Sequence, residues 1–206
     1  MTRAGVTQLL NKQLDLIVCG EAGSPAEALN DIQKAVPDLL LSDLTMPGRS
    51  GVEFIKDILV LHPELPILVV SMHDEAIYAE RVLRAGARGY IMKEAGGAKL
   101  LAAIRCVLTG QVYVSESMSA KILENLTGRK PRGSQSPIEK LSDREFEIFQ
   151  LLGQGKSTRE IAQQLHISPK TVDVHRSHLK EKLVLKDAMS LVRHAVRWLD
   201  AQDTKQ

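Results

Sequence analysis

Residues 38–51, DLLLSDLTMPGRSG, decide how the chain is read. Leu39-Leu40-Leu41 is long enough for a buried strand but too short to settle the element type alone. The run stops at Asp43, and Pro47-Gly48 followed by Gly51 forces a loop before the next helical pattern. A carboxylate at the carboxyl end of a buried parallel strand stands where open α/β sheets bind ligands and do chemistry. An aspartate that merely ends a strand and caps a turn explains the same residues, so the flanking sequence has to decide.

Toward the N-terminus, Thr2 to Lys12 reads as a helix with Val6, Leu9 and Leu10 on one face. Leu14 to Cys19 reads as a strand ended by Gly20. Ser24, Pro25 and Glu27 are the cap, first position and capping-box acid of a helix with Ala28, Leu29, Ile32 and Ala35 inward. Beyond Gly51 come a helix over 52–61, the strand Pro66 to Ser71, and a helix over 75–85. The strand Gly89 to Lys93 and a helix over 98–108 close the series. Strands alternating with helices of this length predict a parallel sheet covered on both faces.

The whole chain has 206 residues, enough for one large or two small domains, each with a core. Its apolar share of 44% and charged share of 25% are those of an ordinary globular protein. The formal net charge of +2 does not by itself argue for nucleic acid. Up to Gly110 there are 11 Lys and Arg against 13 Asp and Glu, and from Gln111 onward 16 against 12, which fits two domains with different partners. Cys19 and Cys106 lack metal-ligand spacing and read as buried, reduced thiols. No apolar run approaches the ~18 residues of a membrane span, and no signal peptide is apparent, so a cytoplasmic protein without a membrane partner is expected.

Three predicted strands end in polar groups: Asp43, Ser71 and Lys93. All carboxyl ends of a parallel sheet lie on one edge, so the three side chains can converge there. A carboxylate nucleophile with an ammonium and a hydroxyl to hold new oxygens suits phosphoryl transfer to the carboxylate. With SDLTMPGRSG, VVSMHDE and GYIMKE in this order, the front half resembles the receiver domain of two-component response regulators, a flavodoxin-like fold of strand order 2-1-3-4-5. The resemblance implies that Asp43 is the phosphoacceptor, Ser71 the switch hydroxyl and Lys93 the phosphate-pairing lysine. It makes Tyr90 the aromatic that turns inward on activation, and it makes the Thr45 carbonyl, beside Asp43, a Mg²⁺ ligand.

One departure stands out. Family members begin with a strand ending in paired acidic residues that hold Mg²⁺, and no acidic pair precedes Asp15 here. That strand is central in the 2-1-3-4-5 order, so the sheet is expected to lack its first strand, with unpaired backbone on both neighbours. A start upstream of Met1 is one reading. A natural short form, or a strand supplied by a partner chain, is another.

Tyr113 to Leu126 is weakly helical, with Met118, Ile122, Leu123 and Leu126 apolar, and Thr127 to Pro137 (TGRKPRGSQSP) reads as a flexible tether. Ser142 to Glu145 and Ser157 to Glu160 are capping boxes, the first opening a helix ended by Gly153 and Gly155. Ser168-Pro169 starts a third, longer helix, which makes a helix-turn-helix. On that helix Val172, Leu179 and Leu183 point inward, with His175 near them. Lys170, Asp173, Val174 and Ser177 point out, flanked by Arg176, Lys180 and Lys182. Such a face suits base edges and phosphates, although a solvated face of an ordinary bundle has the same composition.

LSDREFEIFQLLGQGKSTREIAQQLHISPKTVDVHRSHLKEKL resembles the LuxR-type DNA-binding domain along its length. Receiver plus this domain is the plan of the NarL/FixJ family. The resemblance adds Thr171 to the DNA-binding set and makes the helix over 187–199 the dimerisation helix. Asp173 and Ser177 replace common lysines, and Val184 stands where Gly is usual. The expected organisation is a receiver over 1–112, a linker helix and tether over 113–137, and an all-α helix-turn-helix domain over 138–206. The expected function is a non-enzymatic, phosphorylation-switched regulator of transcription. It would bind double-stranded DNA as a homodimer and answer to a sensor histidine kinase. A phosphorylation-independent regulator with a degenerate receiver, an aspartate-nucleophile phosphatase and a pure protein-interaction module stay open beside it.

Overall fold

The structure, a computed structural model, describes residues 1–46, 50–126 and 137–203. Pro47 and Gly48 of the predicted loop, and all of the predicted tether except Pro137, lie outside the described residues. The chain divides into two compact units, Met1–Arg129 and Lys130–Gln206.

The first unit is built on three parallel strands, β1 (Leu40–Ser42), β2 (Ile67–Ser71) and β3 (Gly89–Met92), in the order β1-β2-β3. β1 pairs with β2 in the register Leu40↔Ile67, and β2 with β3 in the register Leu68↔Gly89. Around them run α1 (Arg3–Leu10), α2 (Pro25–Lys34), α3 (Gly51–Leu61), α4 (Glu75–Arg84), α5 (Gly97–Leu108) and α6 (Glu116–Leu126). Alternation along β2 sends Leu68 and Val70 to one face, where they meet Leu100, Ala103, Ile104 and Val107 of α5. Val6, Leu9 and Leu10 of α1 pack against the same cluster, as their spacing predicted. Every residue of β2 is buried, which is what a central parallel strand requires.

The loop after β1 closes on a steric constraint. A Cβ on Gly51 would lie 2.5 Å from the Cα of Leu44. Only glycine lets α3 start this close to the end of β1, and the start of α3 in turn fixes where Asp43 stands.

The strand expected over Leu14–Cys19 is absent. Apolar alternation favours an extended backbone, but a strand also needs a hydrogen-bonded neighbour, and no strand among the described residues pairs with this segment. Leu14 and Ile17 are 108% and 87% exposed, and Cys19 is exposed, correcting its expected burial. Arg105 fixes the start of the segment by donating to both carboxylate oxygens of Asp15, at 2.9 and 3.0 Å.

Past α5 the chain returns to the sheet. Tyr113 N–H donates to the Arg88 carbonyl at 3.0 Å, and Tyr90 N–H donates to the Tyr113 carbonyl at 2.9 Å. Gly89 makes room for this bridge, because a Cβ there would sit 2.8 Å from the Tyr113 oxygen. α6 follows and packs on α4 with Met118 buried, whereas Leu123 is exposed.

The second unit holds α7 (Asp143–Gly153), α8 (Thr158–Gln164), α9 (Pro169–Lys182) and α10 (Ala188–Asp203). Both predicted capping boxes form. Gly153 is still helical and passes close to α10, where a Cβ would meet the Ala195 oxygen at 2.8 Å, so Gly155, at φ 77°, is the glycine of the stop. Trp198 lies edge-on to Phe146 and Phe149, with centroids 5.5 and 5.7 Å away. Burial of such aromatics contributes about 1.5–3 kcal/mol each.

Candidate phosphorylation site and nucleic-acid interface

Asp43 follows β1, Ser71 ends β2 and Lys93 follows β3, so the strand order sets Ser71 between the other two. Lys93 Nζ donates to Asp43 Oδ2 at 2.5 Å, and Thr45 N–H donates to Oδ1 at 3.1 Å. Both side chains are partly covered, 29% exposed for Asp43 and 20% for Lys93. A carboxylate held this way is oriented by two donors while remaining open to an incoming electrophile. Ser71 is fully buried, and its Oγ accepts the His73 N–H at 3.2 Å.

Tyr90 is also fully buried, and its hydroxyl donates to the His73 carbonyl at 2.7 Å. Burial pushes its phenol well above the ordinary value, the effect outweighing a hydrogen bond with Ser71. The ring therefore faces inward in this structure.

Sequence reasoning missed His73. Its Nε2 lies 3.1 Å from Thr45 Oγ1, and its ring stacks on Tyr78 with centroids 4.8 Å apart. Burial depresses the imidazole pKa; the Asp43 carboxylate opposes this and the Lys93 ammonium adds to it. The one signal available was its place, two residues past a strand end on the carboxyl edge.

The Mg²⁺ implied by the resemblance needs oxygen donors. Among the described residues no three His, Cys, Asp or Glu side chains come together to hold a metal. Asp43 is the single acidic side chain at the site described here, and Lys93 and Thr45 already engage its two oxygens. With the Thr45 carbonyl this is a poor match for an octahedral cation that takes one or two carboxylates besides phosphate and water. These residues by themselves do not make the Mg²⁺ site.

In the second unit α8 leads through a turn at His166, φ 53°, into α9, capped by Ser168 with Pro169 first. Lys170, Asp173, Val174 and Ser177 are exposed at helical spacing on one face of α9. Lys180 continues that face and is half-buried. Thr171 is engaged with the Ser168 hydroxyl at 2.8 Å, and Arg176 donates to Thr158 Oγ1 at 2.6 Å, joining α9 to α8.

The opposite side of α9 is anchored by Glu145 of α7, a buried carboxylate that accepts from Lys182 at 2.6 Å and from Ser142 N–H at 2.7 Å. Burial pushes the Glu145 carboxyl up, and Lys182 and Ser142 overcome it, leaving its pKa below the usual carboxylate range. On α10 Leu191 and Ala195 are buried while Met189 and Val196 are exposed.

Both halves match known families: Response regulator receiver domain over residues 1–105, and Bacterial regulatory proteins, luxR family, over 139–195. The oxygen regulatory protein NreC of Staphylococcus carnosus is 36% identical over 201 residues, covering 96% of this chain and 93% of NreC. RcsB of Salmonella enterica serovar Typhimurium, solved bound to promoter rprA in the presence of the phosphomimetic BeF3⁻, superposes with a TM-score of 0.69 at 25% identity, over 94% of this chain and 92% of RcsB. A LuxR-family two-component response regulator from Aurantimonas sp. SI85-9A1 gives a TM-score of 0.56 at 30% identity, over 61% of this chain and 89% of its own. With a receiver sheet in one unit and a helix-turn-helix in the other, the chain belongs to the DNA-binding response regulators of the NarL/FixJ family.

Proposed function

We propose that Asp43 is the phosphoacceptor of a switch that sets how tightly α9 holds double-stranded DNA. The observation that carries the reading is the Asp43–Lys93 ion pair on the carboxyl edge of the sheet, with Ser71 on the strand between. An Asp43 carboxylate oxygen forms a bond to phosphorus. The phosphorus–nitrogen bond of a phosphohistidine on a sensor kinase breaks, or the phosphorus–oxygen bond of a small acyl phosphate, and the leaving group keeps the electron pair. Lys93 then turns from the carboxylate to the new phosphoryl oxygens, and Ser71 leaves the His73 N–H to donate to them. These contacts exist in only one state, so they shift a population.

Receiver domains generally bind Mg²⁺ at this position, and no step above is routed through it. On α9, Lys170, Asp173, Val174 and Ser177 face the base edges and Lys180 a phosphate. Thr171 and Arg176, bonded to Ser168 and Thr158, fix the height of the helix. Exposed Met189 and Val196 on α10 support a homodimer on two half-sites.

The test is duplex affinity across salt concentrations, with and without acetyl phosphate, using a duplex that the wild-type chain recovers from a random-sequence pool. Binding should weaken steeply with salt and tighten with the phosphodonor, and Asp43→Ala should lose the second response only. Salt-insensitive or absent binding would contradict the reading. The lone carboxylate at the site favours a second reading, a regulator whose DNA binding ignores phosphorylation, and equal affinity with and without the donor would select it.

A further inference from the structure

Residues 113–121 are gripped from two sides by the elements that carry the switch residues. From β3, Tyr90 N–H holds the Tyr113 carbonyl at 2.9 Å. From α4, the Glu75 carboxylate accepts the Ser115 N–H at 2.8 Å, just ahead of α6. Lys121, one helical turn and more into α6, donates to the Ala76 carbonyl at 3.0 Å. Both α4 partners belong to its first turn, which begins at Glu75, two residues beyond His73, and is capped by Asp74 at Ala76 N–H, 2.9 Å. The Glu75 carboxylate also lies close enough to Tyr113 to push its phenol pKa up, after burial the next cause.

We propose that Glu75 is the positioning residue that carries the state of the Ser71 turn into α6, and through α6 toward the DNA-binding unit. The proposal rests on Asp43 being the phosphoacceptor. When the Ser71 hydroxyl turns to a phosphoryl group it gives up the His73 N–H, and the start of α4 re-seats. Ser115 is tied to the first residue of α4 and Lys121 to the second, so α6 cannot keep its place while that turn moves. A backbone N–H bonded to a carboxylate is among the stronger hydrogen bonds, and this one joins residues 40 apart in sequence. From α6 the chain continues to the second unit, which makes α6 the covalent route of the signal.

The test uses the full chain in four forms: wild type, Glu75→Ala, Glu75→Gln, which keeps an oxygen acceptor, and Lys121→Ala. Affinity for the recovered duplex is read with and without acetyl phosphate, the adduct on Asp43 is read by intact mass, and hydrogen exchange is followed over 113–121. Wild type should tighten about tenfold, within the range of allosteric couplings, and change its exchange over 113–121. Glu75→Ala should still take the phosphoryl group, exchange Ser115 rapidly in both states, and tighten less than about twofold. Glu75→Gln should restore most of the response, and Lys121→Ala, a variant that leaves Glu75 in place, should weaken it. A phosphorylated Glu75→Ala protein with full tightening, or with Ser115 protected as in wild type, overturns the proposal. A wild type that takes no phosphoryl group sinks the Asp43 reading instead, and the Ser115 exchange of the unphosphorylated variant still judges the contact.

Discussion

Replacing Val184 by glycine should stabilise the DNA-binding unit. Val184 follows the C-cap of α9 at φ 55°, with its N–H on the Glu181 carbonyl and the next N–H, of Leu185, on the Lys180 carbonyl. This is the left-handed residue that ends many helices, a place for glycine. For an L-residue that conformation costs roughly 1–2 kcal/mol, and a β-branched one is a clear outlier there. The side chain is 88% exposed, so its removal forfeits almost no buried area. Glycine gives back about 0.4–1 kcal/mol through the larger freedom of the unfolded chain, which leaves a net gain of about 1 kcal/mol. For a unit of this size that is a rise in Tm of roughly 4–8 °C. The assay is built in: Trp198 is the single tryptophan of the chain and is half-buried against Phe146 and Phe149, so its fluorescence reports the unit within the intact protein. Val184→Ala keeps the Cβ and should gain little. A Val184→Gly protein that melts at or below the wild-type temperature would refute the reasoning, and would mean that the valine side chain makes a contact worth more than its strain.

Four further outcomes follow from the same geometry. Gly51→Ala should destabilise the receiver by about 1–3 kcal/mol, because its Cβ would meet Leu44 backbone at 2.5 Å, and a chemical-denaturation midpoint for the first unit will show it. Ile17→Lys should leave that midpoint unchanged, since the side chain is 87% exposed, and should reduce aggregation in light scattering. Burial holds the His175 pKa below the ordinary 6.5, so the unfolded chain takes up this proton at a higher pH than the folded one. Stability is then lost as pH falls below about 6.5, and the Trp198 melting temperature should drop between pH 7.5 and 5.5, less so in His175→Asn. Glu145 acts lower on the scale: its folded pKa is depressed, so its contribution is full above the ordinary carboxylate value and fades as pH falls through the folded one. Glu145→Gln should flatten that acid limb of the melting curve.

Much of this fold can be read from residue patterns. The apolar runs ending in Asp43, Ser71 and Lys93 predict three parallel strands with one polar edge, and the strands form there. Ser142 to Glu145, Ser157 to Glu160 and Ser168-Pro169 mark helix starts to within a residue, because capping chemistry is local. Leu14–Cys19 shows the limit. Its pattern is that of a strand, but a ladder is made by a neighbour, and the pattern carries no record of whether one stands beside it. His73 shows another, since its contacts come from Thr45, Tyr78 and Tyr90, three elements whose meeting only the fold decides. The same holds for Glu145 and Lys182, 37 residues apart, and for the hydrogen bond from Arg176 to Thr158 that joins α9 to α8.

The most direct test of the central claim is the intact mass of the full chain after incubation with acetyl phosphate and Mg²⁺, run beside Asp43→Ala and Lys93→Ala. We predict one phosphoryl adduct on the wild type, none on Asp43→Ala, and a reduced or short-lived adduct on Lys93→Ala. A folded wild-type protein that gains no adduct, or an Asp43→Ala protein that gains one, would contradict the assignment of Asp43 as the switch.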